Sequence, residues 1–269
     1  MVKKLFKHEF LAWLRVLPII YGITLIVAAM HRLLQFFETD SVYYNVVFIS
    51  ASVMYGIALV ATLAAPVVFG IQRFYKNMFT GEGYLTHTLP VTPTNHLWVK
   101  GLTAVAFSMI SFIVLDISVV IIAAGDVLTE LWKAAAYLWN LIQPEYIADI
   151  VFYFIEALLF VVVSCFFMHY LYFTCICAGH LFKKNRVLAA VGVYFGLYMI
   201  TQVIGTVLVV LTMVLTETGA LQPLFDWFYE HTLEAIHIGA CGSIVIYSGL
   251  TAAYFLFCRY VLTKKLNLE

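Results

Sequence analysis

Long uncharged runs dominate the chain. Ser41 to Gln72, Ala157 to Phe182, Val187 to Thr216 and His237 to Cys258 hold no Asp, Glu, Lys or Arg, and Gly101 to Ala124 is broken only by Asp116. A bilayer crossing takes about 20 predominantly apolar residues, so each run reads as a transmembrane helix. A sixth span starts at Val16. Only Val16 to His31 separates Arg15 from Arg32, so this span reaches full length if Arg32 snorkels to the interface and the helix continues through Leu33, Leu34, Phe36 and Phe37. All six are expected to be helices, because the runs are about twice the length of barrel strands and lack period-two alternation. Pro18 and Pro66 fall inside spans 1 and 2, where they are expected to kink the helix. No internal repeat argues for an inverted-repeat transporter.

Composition excludes the soluble classes. The chain is 64% apolar and 11% charged, with mean hydropathy +0.97, against roughly 45–50% apolar and about 25% charged in an average soluble domain. Neither a water-soluble globule nor a disordered chain fits. Fifteen Lys and Arg balance fifteen Asp and Glu, so the basic footprint of a nucleic-acid binder is missing. Where those charges fall is more informative than their sum. Thirteen of the fifteen basic residues lie before span 1, between spans 2 and 3, between spans 4 and 5, and after span 6. The opposite connections hold only Arg32 and Lys133, beside ten acids. The positive-inside rule then places both termini in the cytoplasm, and an even number of spans agrees in putting them on the same side. Lys3, Lys4, Lys7 and Glu9 precede the first apolar run, and no small-residue cleavage pattern follows it, so a removed signal peptide is not expected. The five cysteines, Cys165, Cys175, Cys177, Cys241 and Cys258, all sit in apolar stretches and read as small buried hydrophobes, not as a disulfide framework.

Three kinds of segment are not simple spans. In the first, Phe6, Phe10, Trp13 and Leu14 recur at helical spacing with Lys3, Lys4, Lys7, His8 and Arg15 mostly elsewhere on the wheel. This predicts a helix over residues 1–15 lying in the interface, or else a basic topogenic tail. The second is the connection from Arg73 to Lys100, in which Gly81 and Gly83 flank Glu82 and permit a sharp reversal. Leu89-Pro90 enforces an extended or turn conformation, and Thr92 with Pro93 has the chemistry of an N-cap followed by N1. A short, well-punctuated protrusion of this kind suits a docking element, though an ordinary loop between spans is the alternative. The third kind is the pair of outer connections, Gly125 to Asp149 and Glu217 to Ile236, which mix acids with Trp132, Tyr137, Trp139, Phe225, Trp227, Phe228 and Tyr229. Aromatics favour headgroups, so short helices on the outer leaflet are expected there.

The pattern Arg73-x-x-Lys76-Asn77, then Gly81-Glu82-Gly83-Tyr84-Leu85-Thr86 and Leu89-Pro90-Val91-Thr92, ending in Lys100, resembles the cytoplasmic loop of bacterial ABC-2-type transporter permeases. The six-span layout with both ends inside resembles them over the whole chain. The resemblance implies an all-α integral membrane protein of the bacterial inner membrane, one permease domain over residues 1–269. That domain would have an N-terminal interfacial helix, a coupling helix between spans 2 and 3, and a re-entrant or interfacial element over 217–236. It implies that two permeases pair, as a homo- or heterodimer, and that each rests on a cytoplasmic ABC ATPase. Matching positions put the ATPase contact at Glu82, Tyr84, Leu85, Thr86, Leu89 and Pro90. No Gly-x-x-x-x-Gly-Lys-Ser/Thr phosphate loop occurs in the chain. ATP and Mg are therefore expected on the partner, with no cofactor, metal or catalysis here.

Charged residues within spans leave alternatives open. A carboxylate at Asp116 costs about 2.5–3.5 kcal/mol on insertion scales and calls for a partner, which Ser111 and Ser118 do not supply because they do not share its face well. Glu156 lies near the outer end of span 4 and His169 deeper in it. Together the three suit a substrate path, a gate, a proton relay or a metal site. Alternatively each is structural: a hydrogen bond at Asp116, interfacial water at Glu156, a packing histidine at His169. Gly192-x-x-x-Gly196 permits close helix approach, either between two permeases or within one chain. Three functions follow. The leading one is a transport subunit exporting an amphiphilic peptide, lipid or drug, for which 22 Phe, 17 Tyr and 5 Trp provide an apolar path or simply packing. The second is an intramembrane enzyme using Asp116, Glu156 and His169, against which stands the absence of His-Glu-x-x-His and Gly-x-Ser-x-Gly. The third is a non-transporting sensor or scaffold.

Overall fold

A computed structural model describes residues 2–81, 83, 88, 90–141, 146–182 and 184–265. All regular structure among them is helical. Six stretches are long and apolar enough to cross a membrane: Val2–Gln35, Val42–Phe79, Pro93–Ala123, Ile147–Gly179, Arg186–Glu217 and Thr232–Lys265. The chain forms two compact units, residues 1–147 and 148–269.

The first unit contains α1 (Val2–Leu14), α2 (Leu17–Gln35), α3 (Val42–Phe79), α4 (Pro93–Ala123) and α5 (Asp126–Leu141). Local chemistry sets the helix starts. Ser41 caps α3, its hydroxyl accepting from the Tyr44 N–H at 3.1 Å. Thr92 caps α4 by accepting from the Asn95 N–H, with Pro93 as the first helical residue, so the capping read from the sequence holds. Pro18 lies within the Val2–Gln35 stretch, just after the turn at Arg15 and Val16 that separates α1 from α2. It sits in the first turn of α2, where a missing N–H costs nothing, and it helps start that helix. Pro66 is interior to α3, and helix assignment continues through it.

Between α2, α3 and α4 the helices are joined by hydroxyl pairs. Tyr21 Oη donates to the Phe107 carbonyl at 3.0 Å and meets Ser111 Oγ at 2.9 Å; Thr24 and Thr62 pair at 2.6 Å; His31 Nε2 meets Ser52 Oγ at 2.9 Å; and Tyr55 Oη meets Ser118 Oγ at 2.9 Å. In a medium without water such pairs are worth on the order of 0.6 kcal/mol each, up to about 1.7. Around them Trp13, Leu17, Tyr21, Ala65, Ala104, Phe107 and Val114 form the buried core.

Helix α1 divides its apolar residues between two sides. The inward residues are Leu5, Glu9, Ala12 and Trp13, whereas Phe6 and Leu14 are 36% and 43% exposed. Phe10 lies at the edge, 4.9 Å from the Phe107 ring. On the inward side Glu9 meets two cations, Arg73 and Lys100.

The second unit contains α6 (Ile147–Gly179), α7 (Arg186–Glu217), α8 (Gln222–Glu230) and α9 (Thr232–Tyr260), which continues as a π-helical turn over Val261–Lys265. α6 and α9 meet through Thr174, whose hydroxyl lies 3.3 Å from the Tyr254 carbonyl and from Cys258 Sγ, and through the edge-on rings of Tyr170 and Phe255. All five cysteines are free thiols; Cys175, Cys177 and Cys258 are buried, Cys165 half-buried and Cys241 exposed. Gly179 ends α6 where a Cβ would lie 2.6 Å from the Arg186 carbonyl, and Asn185 starts α7 from a left-handed conformation, which asparagine tolerates. α7 has no buried residue.

Candidate functional site

A buried ionic node ties three helices together at the base of the 80–92 segment. Arg73, near the end of α3, straddles Glu9 of α1, with Nε 2.6 Å from Oε1 and Nη2 3.1 Å from Oε2. Lys100, two turns into α4, adds Nζ at 3.3 Å from Oε1. Glu9 is 6% exposed and Lys100 5%. The two-point Arg–carboxylate fork is the strong, directional form of the ion pair, and burial makes each partner necessary to the others. Trp13, one turn after Glu9, stacks on Phe107 and meets Phe69 edge-on at 5.0 Å. The same helix is thus fixed to α3 and α4 twice, by charge and by rings. The sequence showed Arg73 and Lys100 as loop cations. Their acid went unnoticed, although Glu9 is the lone carboxylate among the N-terminal basic residues.

Of the six expected contact positions in the segment, Glu82, Tyr84, Leu85, Thr86 and Leu89 lie outside the described residues, and Pro90 is exposed. The two glycines differ. A Cβ at Gly83 would come within 2.8 Å of the Met78 backbone carbon and oxygen, while at Gly81 it would meet nothing within 4 Å. The Gly83 N–H also donates to the Thr80 carbonyl at 2.7 Å. Close approach, not mere flexibility, therefore requires glycine at 83.

Of the membrane-span candidates, Asp116 lies in the first unit and Glu156 and His169 in the second. Asp116 is exposed on α4, opposite the buried Ser111 and Ser118, whose hydroxyls serve Tyr21 and Tyr55. Glu156 and His169 both lie on α6, 13 positions apart and so roughly 20 Å along its axis. Glu156 instead pairs with His237 of α9, Oε1 to Nδ1 2.9 Å, and Cys241 Sγ lies 3.6 Å from the same oxygen. The His237 ring stacks on Tyr153 at 4.1 Å and 2°. His169 is 1% exposed and packs near Phe173. No cluster of three or more His, Cys, Asp or Glu suited to a metal occurs among the described residues. Gly192 and Gly196 are exposed on α7, and a Cβ at either would meet no described atom within 4 Å. Among the described residues of the second unit, no helix crosses close to them. No protein-family model, no curated protein and no solved structure matches the chain.

Proposed function

We propose that this chain is the permease subunit of an ATP-driven transporter, a lipid-embedded lever worked at its 80–92 segment by a separate phosphate-loop ATPase. The observation that carries the reading is the Glu9–Arg73–Lys100 node. Arg73 lies seven positions before Thr80 and Lys100 eight after Thr92, so the node clamps both roots of the segment to one helix. A force applied between those roots is then delivered to α1, α3 and α4 as one body instead of being spent in bending the connection.

The remaining parts take places consistent with this. Both termini and the 80–92 segment face the cytoplasm of a bacterium, by the basic bias of those connections. The outward side of α1, with Phe6 and Leu14 next to Lys3 and Lys7, rests in the inner interface. α5 and α8, acid- and aromatic-bearing, lie at the outer leaflet. Two permeases pair, and an amphiphilic substrate moves outward as the paired ATPases close on ATP. The chain itself does no chemistry and holds no cofactor.

The test joins topology to partnership. A Thr88→Cys chain with its five native cysteines replaced by serine should resist membrane-impermeant maleimide in intact cells and react after permeabilisation, and a phosphate-loop ATPase should copurify with the chain and change its hydrolysis rate in proteoliposomes containing it. Labelling from outside, or an ATPase that neither copurifies nor responds, overturns the reading.

A further inference from the structure

At the end of the first unit opposite the 80–92 segment, an open cleft of about 560 Å³ lies among α2, α3, α4 and the start of α5. That volume falls within the usual ligand-site range of roughly 300–1,000 Å³. Its polar end is made by Arg32 and Glu38, and its wall by Tyr55, Val119, Ile122 and Val127.

Arg32 is held but not neutralised. It sits in the last turn of α2, donates from Nη1 to Gln35 Oε1 at 2.5 Å and lies 4.7 Å from the Phe36 ring centroid. No carboxylate among the described residues lies within ion-pair distance of it. Four of its five N–H donors are left for another acceptor. Gly125 gives it room: this residue has φ +102°, and a Cβ there would lie 2.5 Å from Arg32 Nη2. Tyr55 spends its hydroxyl on Ser118 and presents its ring to the cleft.

The depth of the cleft follows from the chain path. Residues 36–41 connect two membrane-crossing helices and carry Glu38 and Asp40, so the Arg32 end stands among headgroups and the Val119 side runs toward the acyl chains. A guanidinium fork matches a phosphate diester. Glu38 in the same cleft opposes a net anion and complements an ammonium. A primary ammonium can donate hydrogen bonds to that carboxylate, whereas a quaternary one has none to give. We infer that this cleft binds a zwitterionic phospholipid of the phosphatidylethanolamine class, with the phosphate on Arg32, the ammonium on Glu38 and an acyl chain along the Tyr55–Val119 wall. The inference does not depend on the transport reading.

Native mass spectrometry of the full-length chain in detergent tests it, with phosphatidylethanolamine, phosphatidylcholine and phosphatidylglycerol of matched acyl chains. Phosphatidylethanolamine should bind about tenfold more tightly than either, the size of one charge-assisted hydrogen bond. Arg32→Gln should weaken it by about tenfold. Glu38→Gln, a change at an exposed residue, should leave folding intact and abolish the ethanolamine-over-choline preference. Equal binding of the three lipids, a preference for phosphatidylglycerol, or an unchanged preference in Glu38→Gln overturns the proposal, even where Arg32→Gln fails to fold. Soluble glycerophosphoethanolamine displacing the lipid at equal concentration overturns the acyl-chain part.

Discussion

Glu9 illustrates how one side chain can be read two ways. In a basic N-terminal tail it looks like a polar-face residue; in three dimensions it is the counter-charge for Arg73 and Lys100. Glu9→Gln takes the carboxylate away from two cations, one of them 5% exposed, and breaking a buried pair in this way costs about 3–5 kcal/mol. Thermal unfolding in detergent should register that loss, and adding Lys100→Met should recover part of it, since the deeper cation is then neutral and Arg73, 25% exposed, reaches solvent. The glycines of the 80–92 segment offer a second contrast. Gly83→Ala pushes a Cβ against the Met78 backbone, which cannot move aside as a side-chain end can. On the transport proposal the variant should lose ATPase stimulation, while Gly81→Ala, facing open space, keeps it. Spacing on the chain marks both as turn formers; only the contact to Met78 tells them apart.

Helices were the legible part of this protein, because an uncharged run of 20 or more residues has few structural options in lipid. The caps at Thr92 and Pro93 could also be read, since capping is decided within four residues. Which face of a helix turns inward could not. Hydrophobic periodicity assumes a polar solvent on one side, and that assumption fails where both surroundings are apolar and a buried charge pair outweighs a leucine. α1 shows the result: Trp13→Ala should destabilise the fold by about 3–5 kcal/mol, whereas Leu14→Ala, its exposed neighbour, should fall within about 0.5 kcal/mol. Chemical or thermal denaturation of the two variants side by side measures the difference. The hydroxyl pairs are gentler fastenings. Tyr21→Phe removes the contacts to Phe107 and Ser111 and should cost about 1 kcal/mol.

For the chain as a whole, the number of crossings and the charge bias follow from sums along the sequence, and both could be read without coordinates. Pairings between distant positions, such as Glu156 with His237 across 81 positions, leave no trace in local spacing; the sequence offered His169 instead because it shares a helix with Glu156. On the transport proposal α7 is the helix free for pairing. With no buried residue and both glycines bare, Gly192→Leu with Gly196→Leu should leave the melting temperature of the chain unchanged and, where two copies pair through this face, reduce their cross-linking in membranes. Undiminished cross-linking would move the pairing face off α7. α3 carries a further implication. Its 38 residues span roughly 57 Å, against about 30 Å of hydrocarbon, so with a usual tilt of about 20° some four turns project beyond the acyl chains. The helix is a shaft longer than its sleeve. Bilayer thickness then sets how much of that helix stands beyond the acyl chains, and on the transport proposal lipids of longer or shorter tail become a means of tuning its engagement with a water-soluble subunit without altering a single amino acid.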